Sequence, residues 1–281
     1  MGIDTSNQMP FARPEARHNR AEAHMPFALQ VTTLTWRYLL TVFRTPAAVI
    51  PGLLISVFFL LVYQSTLGGA SNFLPGLAGK SYLGFILPLS VVSAALSGAG
   101  GAGQAIVRDI ASGYFDKLML TPISRIALLL GSILTGAVIL GLQTALVTGV
   151  GILMGLRPET GFLGVLAIIG LALLLGTAFA SFTVGVGLRS GNPAATQAAS
   201  FLFFPLSFLT ATFVPLALLS GWIKTAAEIN PITYILEAMR VILNDGWQGD
   251  VILRGVLACL ILGIVTFAFA MASLRARTRR K

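Results

Sequence analysis

The side chains able to do chemistry are few. The 281 residues include 10 Asp and Glu, 19 Lys and Arg, two His and one Cys. Nucleophilic hydrolysis needs a nucleophile beside an oriented base, yet His18 and His24 both lie in a polar N-terminal stretch, and no G-x-S-x-G elbow occurs. His18, Glu22 and His24 have the donor types of a metal set, but an isolated tail cluster reads as solvated and no metal site is expected. Gly79-Lys80-Ser81 ends like a Walker A loop, whose backbone amides and Lys cradle phosphates. Its first glycine would fall at position 74, which is Leu74. This chain is therefore not expected to hydrolyse nucleotide or to carry a cofactor. With Cys259 alone, disulfides within the chain and sites built on several Cys are excluded.

Two short segments hold most of the remaining polar chemistry. From Asp109 to Arg125, charged residues alternate with bulky apolar ones. On a short helix this pattern keeps Tyr114, Leu118 and Met119 on protein or lipid while Asp109, Asp116 and Lys117 face water, and Pro122 ends it. Such a pattern suits a docking surface; a turn held by local ion pairs is the alternative. The second segment, from Gly221 to Asp250, is half apolar but too short and too charged to cross a bilayer. Asn230-Pro231 breaks it, because a residue preceding proline is pushed out of helical backbone. Two short helices dipping into the outer leaflet are expected, with Trp222 and Trp247 at headgroup depth. Glu237 and Arg240, three residues apart, can pair there.

Both segments lie between long apolar runs. Apolar residues make up 56% of the chain, charged residues only 10%, and mean hydropathy is +0.85. A soluble domain carries roughly 25% charged residues, and disorder demands low hydrophobicity, so the expected solvent is a bilayer. Six runs are long enough to cross it, over 46–67, 82–107, 126–156, 162–188, 198–220 and 251–274. With both ends inside, Lys80, Arg157, Lys224, Arg240 and Arg254 face outward and the other basic residues inward, so the positive-inside rule gives N-in/C-in. The net charge of +9 then faces anionic inner-leaflet lipid rather than nucleic acid. The expected fold is an all-α integral membrane protein with six transmembrane helices. Its parts are a polar mobile tail over 1–26 without a signal-peptide core, a membrane domain over 46–274, and a basic cytoplasmic tail over 275–281. Between tail and membrane domain, 27–45 reads as an amphipathic helix along the inner interface, or as an extension of the first span.

The middles of the runs carry no ionisable group, which disfavours ion coupling through buried carboxylates. Gln143 is among the most polar groups there. Phe201, Phe203, Phe204 and Phe208 of the fifth run can wall a path for an apolar substrate, or face lipid and neighbouring helices. Gly-rich ends over 97–103, 149–155 and 185–187 favour close helix approach; a hinge above the docking segment is the other reading.

The stretch D-x-x-S-G-Y-F-D-K-L-x-L-T-P-I-S-R-x-A-L-L-L-G, from Asp109 to Gly131, resembles the cytoplasmic coupling segment of ABC-2 type transporter permeases, particularly the daunorubicin-resistance-like drug exporters. Phe213-Val214-Pro215-Leu216, and Asn230-Pro231-Ile232-Thr233-Tyr234 followed by Glu237, Ala238 and Arg240, resemble the family's end of span five and its outer re-entrant helices. The resemblance covers roughly 30–275. Many members carry a Glu and a Gly-Thr pair where this chain has Asp109 and Gly113-Tyr114. The resemblance implies a permease subunit of the bacterial inner membrane that dimerises with a second copy and works with a separate cytoplasmic ATPase holding ATP and Mg. Asp109, Gly113, Tyr114, Asp116, Lys117, Leu118, Thr121 and Pro122 would couple it to that ATPase. Asn230, Pro231, Tyr234, Glu237 and Arg240 would form an outer gate. The implied cargo is a hydrophobic drug or lipid-like molecule, with polysaccharide or lipo-oligosaccharide export as the variant within the class. Outside the class stand an ATP-independent carrier and a membrane scaffold.

Overall fold

A computed structural model describes residues 25–69, 81–210 and 216–279. Among the described residues all regular elements are helical: α1 (Phe27–Arg44), α2 (Ile50–Leu67), α3 (Tyr82–Ala111), α4 (Tyr114–Met119), α5 (Arg125–Leu153), α6 (Gly161–Ser190), α7 (Pro193–Phe208), α8 (Gly221–Ile229), α9 (Pro231–Asn244) and α10 (Gly249–Arg279). Four of them, α3, α5, α6 and α10, are long and apolar enough to cross a membrane. They correspond to the second, third, fourth and sixth runs. In the first run a 3-10 turn over Pro46–Ala48 leads into α2, an apolar helix of 18 residues.

The fifth run departs from expectation at both ends. Asn192 accepts a hydrogen bond from the Ala194 N–H and Pro193 occupies the first turn, so α7 starts before Ala198. It ends at Phe208, shortly after Pro205, which contributes no backbone donor.

The bundle is built around α6, along which α3, α5 and α10 pack. Small residues permit the approach. A Cβ on Gly103 would lie 2.6 Å from the Thr183 carbonyl oxygen, and one on Gly187 would lie 2.9 Å from the Gly103 carbonyl oxygen. At these positions the glycines serve packing.

Two apolar clusters form at opposite ends of α3. At its start, Phe85, Ile86 and Leu89 cluster with Ile235, Met239 and Leu243 of α9. At its end, Ala105 and Ile106 cluster with Val31 and Leu34 of α1 and with Phe115 and Leu118 of α4. The apolar stripe of α9 is buried in the bundle, whereas α8 leaves Trp222, Ile223 and Ile229 exposed. Of the two short helices expected to dip into lipid, α9 instead spends its apolar face on protein.

Candidate functional site

At the C-terminal end of α3 the chain turns through Ser112-Gly113 into α4. Gly113 has φ 70°, a left-handed conformation that side chains with a Cβ disfavour. The break reverses the sequence expectation for Asp109. Because α3 continues to Ala111, Asp109 follows the face of α3 rather than the polar face of α4, and it is buried at 7% exposure instead of facing water.

Asp109 is held by α1. Arg37 donates from Nη1 to Oδ2 at 3.0 Å and from Nη2 to Oδ1 at 2.7 Å, and the Tyr38 hydroxyl donates to Oδ2 at 2.6 Å. The Arg37 guanidinium also lies 3.9 Å from the Tyr114 ring centroid, joining α1, α3 and α4 through one side chain. Burial opposes the Arg37 charge, but hydrogen bonding and the charge of Asp109 outweigh it and raise its pKa. Burial, and then the Asp109 charge, push the Tyr38 phenol up. Both groups keep their protons at neutral pH. A second tie runs from the Ser124 N–H to Gln30 Oε1 at 2.8 Å.

These contacts give α4 two faces. Phe115 and Leu118 are buried, and Tyr114 and Met119 are half-buried. Asp116, Lys117, Thr121 and Pro122 are exposed, and Leu120 at the end of α4 is 89% exposed. Arg37, Tyr38, Phe115 and Leu120 were not among the expected site residues. Val31, Leu34 and Tyr38 do fall on one stripe of α1, but no local spacing links Arg37 to an acid 72 residues away.

At the other end of α3, Asn230 joins two elements. Its Nδ2 donates to the carbonyls of Leu206 at 2.7 Å and Leu209 at 2.9 Å, while its Oδ1 caps α9 by accepting from the Ile232 N–H at 3.0 Å. Pro231 takes the first position of α9, and the Tyr234 hydroxyl donates to the Glu228 carbonyl. Buried Arg240 donates from Nε to the Phe85 carbonyl at 2.9 Å, its guanidinium 3.7 Å from the Phe85 ring centroid. Glu237 is half-buried one turn before it.

Between these ends, Gln143 and Phe201 line a common cavity bounded by α1, α2, α3, α5 and α7. Phe208 is exposed and does not line it. Phe203 packs on Phe179 with ring centroids 4.2 Å apart, so the aromatics of α7 do not share one role. The side chain of Phe204 lies outside the described residues, as do His18, Glu22, Lys80 and residues 213–215.

Membrane-length apolar helices packed through small residues define a multi-pass integral membrane protein. Residues 29–244 match the ABC-2 type transporter family, and the chain belongs to that family. It is 28% identical to the daunorubicin resistance ABC transporter permease protein DrrB1 of Streptomyces coeruleorubidus, over 86% of this chain and 84% of that protein. Similarity extends to the probable doxorubicin resistance ABC transporter permease protein DrrC of Mycobacterium tuberculosis, at 26% identity over 85% of each chain. The putative transport permease ycf38 of Pyropia yezoensis is 22% identical over 97% of this chain and 98% of its own.

Proposed function

We propose that this chain is the membrane subunit of an ABC exporter, two copies working with a cytoplasmic ATPase that binds and hydrolyses ATP with Mg. In this reading six segments cross a bacterial inner membrane, including α2 and the α7 region, with both termini inside and 46–274 forming the membrane domain. Residues 1–26 and 275–281 are cytoplasmic tails. The cargo is a hydrophobic drug or lipid-like molecule, in keeping with the absence of Asp, Glu, Lys, Arg and His from the span middles and with the names of the bacterial relatives.

One observation carries the coupling role. The Arg37–Asp109 pair and buried Phe115 and Leu118 fix the inner face of α4, while Asp116, Lys117 and Leu120 remain uncovered. A load applied to that surface is passed to α3 through Asp109 and to α1 through Arg37. Affinity purification of the intact protein in mild detergent is expected to bring along a protein with Walker motifs, and Asp116→Lys with Lys117→Glu is expected to release it while membrane insertion persists. Recovery of no ATPase with the intact protein would leave the carrier or scaffold.

A further inference from the structure

On the face of α5 turned away from the Gln143 cavity, α5 and α10 both pack on α6 but scarcely touch each other. They leave a groove of about 460 Å³. Leu134 of α5 and Phe267 and Met271 of α10 wall it, and Thr177 and Ser181 of α6 lie along its floor. Both hydroxyls are turned to their own helix, Thr177 donating to the Leu174 carbonyl and Ser181 to the Thr177 carbonyl, each at 2.6 Å. The groove therefore presents an apolar surface. Gly263 deepens it on the α10 side, where a Cβ would meet nothing within 4 Å.

Length decides between a helix and a lipid as occupant. The α10 lining runs from Cys259 to Met271, about 18 Å at 1.5 Å per residue. A membrane-crossing helix needs about 30 Å of apolar partner surface, and one leaflet supplies about half of that. Lipid tails are as apolar as leucine, so burial from water does not fill such a groove. Shape does, because an empty groove forfeits the dispersion contacts of its walls. One acyl chain matches it in length.

The end nearer the C-terminus of α10 supplies charge. Met271, Arg275 and Thr278 follow one stripe of α10 at helical spacing, which puts Arg275 one turn beyond the groove. Arg125, at the start of α5, reaches across and donates from Nη1 to Thr278 Oγ1 at 3.4 Å. Arg125 and Arg275 are exposed, and neither has an ion pair among the described residues. Arg125 also heads α5, where the helix macrodipole disfavours a cation. Two unpaired guanidinium groups beyond the end of an apolar groove complement a phosphate that carries an acyl chain.

We propose that this groove holds one acyl chain of an anionic phospholipid, with its phosphate bound by Arg125 and Arg275, as a resident lipid that ties α5 to α10 and not as cargo. The site stands on the groove and the two arginines; its place in the inner leaflet rests on the orientation proposed above.

The test uses the full chain in phosphatidylcholine nanodiscs that contain phosphatidylglycerol with a mid-chain diazirine, or the matching phosphatidylcholine probe. Mass spectrometry maps the labelled peptides after irradiation. The phosphatidylglycerol probe is expected to label groove residues of α5 and α10 about tenfold more than the phosphatidylcholine probe. Arg125→Gln with Arg275→Gln should bring it down to the phosphatidylcholine level. Arg44→Gln with Arg108→Gln removes the same charge from exposed positions away from the groove and should leave labelling unchanged. Gly263→Leu fills the groove without a Cβ clash and with better helix propensity, so it should abolish groove labelling by both probes at an unchanged or raised Tm. Inorganic phosphate should not displace the probe. Equal labelling by the two headgroups, equal loss in the Arg44 and Arg108 variant, labelling that survives Gly263→Leu, or displacement by phosphate alone would each overturn the proposal. Maleimide access to Asp116→Cys reads the orientation separately, so an inverted topology would move the lipid to the other leaflet while the labelling pattern still decides the site.

Discussion

Arg37 and Asp109 make two hydrogen bonds, and the same guanidinium stacks on Tyr114, so its shape matters as much as its charge. Lysine has neither the fork nor the flat face. Arg37→Lys is therefore expected to lie close to Arg37→Ala, each losing about 1–3 kcal/mol, read as a lower Tm in detergent; a Tm like that of the parent for Arg37→Lys would show that charge alone suffices. At the opposite end, Asn230→Asp keeps the acceptor that caps α9 but removes the donors to Leu206 and Leu209. Asn230→Ala removes both. Thermal melts should place the Asp variant at or below the Ala variant, since a carboxylate facing two carbonyls is repelled. The two sites differed in legibility. Asn230 before Pro231 announces a break locally, whereas the Arg37–Asp109 pair joins residues from separate elements and is invisible to spacing. The charge alternation of 109–125 implies one helix with Asp109 toward water, but Gly113 divides the stretch and leaves Asp109 on the buried face of α3.

Elements were legible where length and apolarity agree, as for α3, α5, α6 and α10. The start of α7 was also written in the sequence, since Asn192-Pro193 is a cap followed by a first-turn proline, but the neighbouring Arg189 and Asn192 made the stretch look like loop. Its end was not legible, because the carbonyls of Leu206 and Leu209 there are bound by Asn230 from a turn some twenty residues on, at 2.7 and 2.9 Å. The α3–α4 junction gives the sharpest element-level prediction. Gly113→Ala must place a Cβ on a residue at φ 70°, at about 1–2 kcal/mol, although nothing lies within 4 Å of that Cβ. Asn tolerates this conformation. Gly113→Ala should reduce ATPase co-purification and Gly113→Asn should largely retain it; equal loss in both would point to glycine's size rather than its backbone.

Across the whole molecule, α3 spans about 45 Å and is gripped at each end by an arginine from a different helix. Arg240 of α9 holds Phe85, and Arg37 of α1 holds Asp109. Hydrogen exchange should separate the two grips. Arg240→Ala is expected to speed exchange in α9 and leave α4 protected, and Arg37→Ala to do the reverse. Exchange rising at both ends in either variant would mean that the bundle loosens as one unit.

The most direct test of the coupling role places a single reactive cysteine on α4. Cys259 is the chain's one cysteine and is buried, so Cys259→Ser provides a clean background. In that background, unmodified Asp116→Cys should resist membrane-impermeant maleimide in intact cells and, loaded in a separate sample with a membrane-permeant photo-crosslinker, should trap an ATPase with Walker motifs, while Trp222→Cys should label from outside and trap no ATPase. Crosslinks from position 116 to lipid alone, or labelling of that position from outside, would contradict the assignment of α4 as the cytoplasmic docking helix.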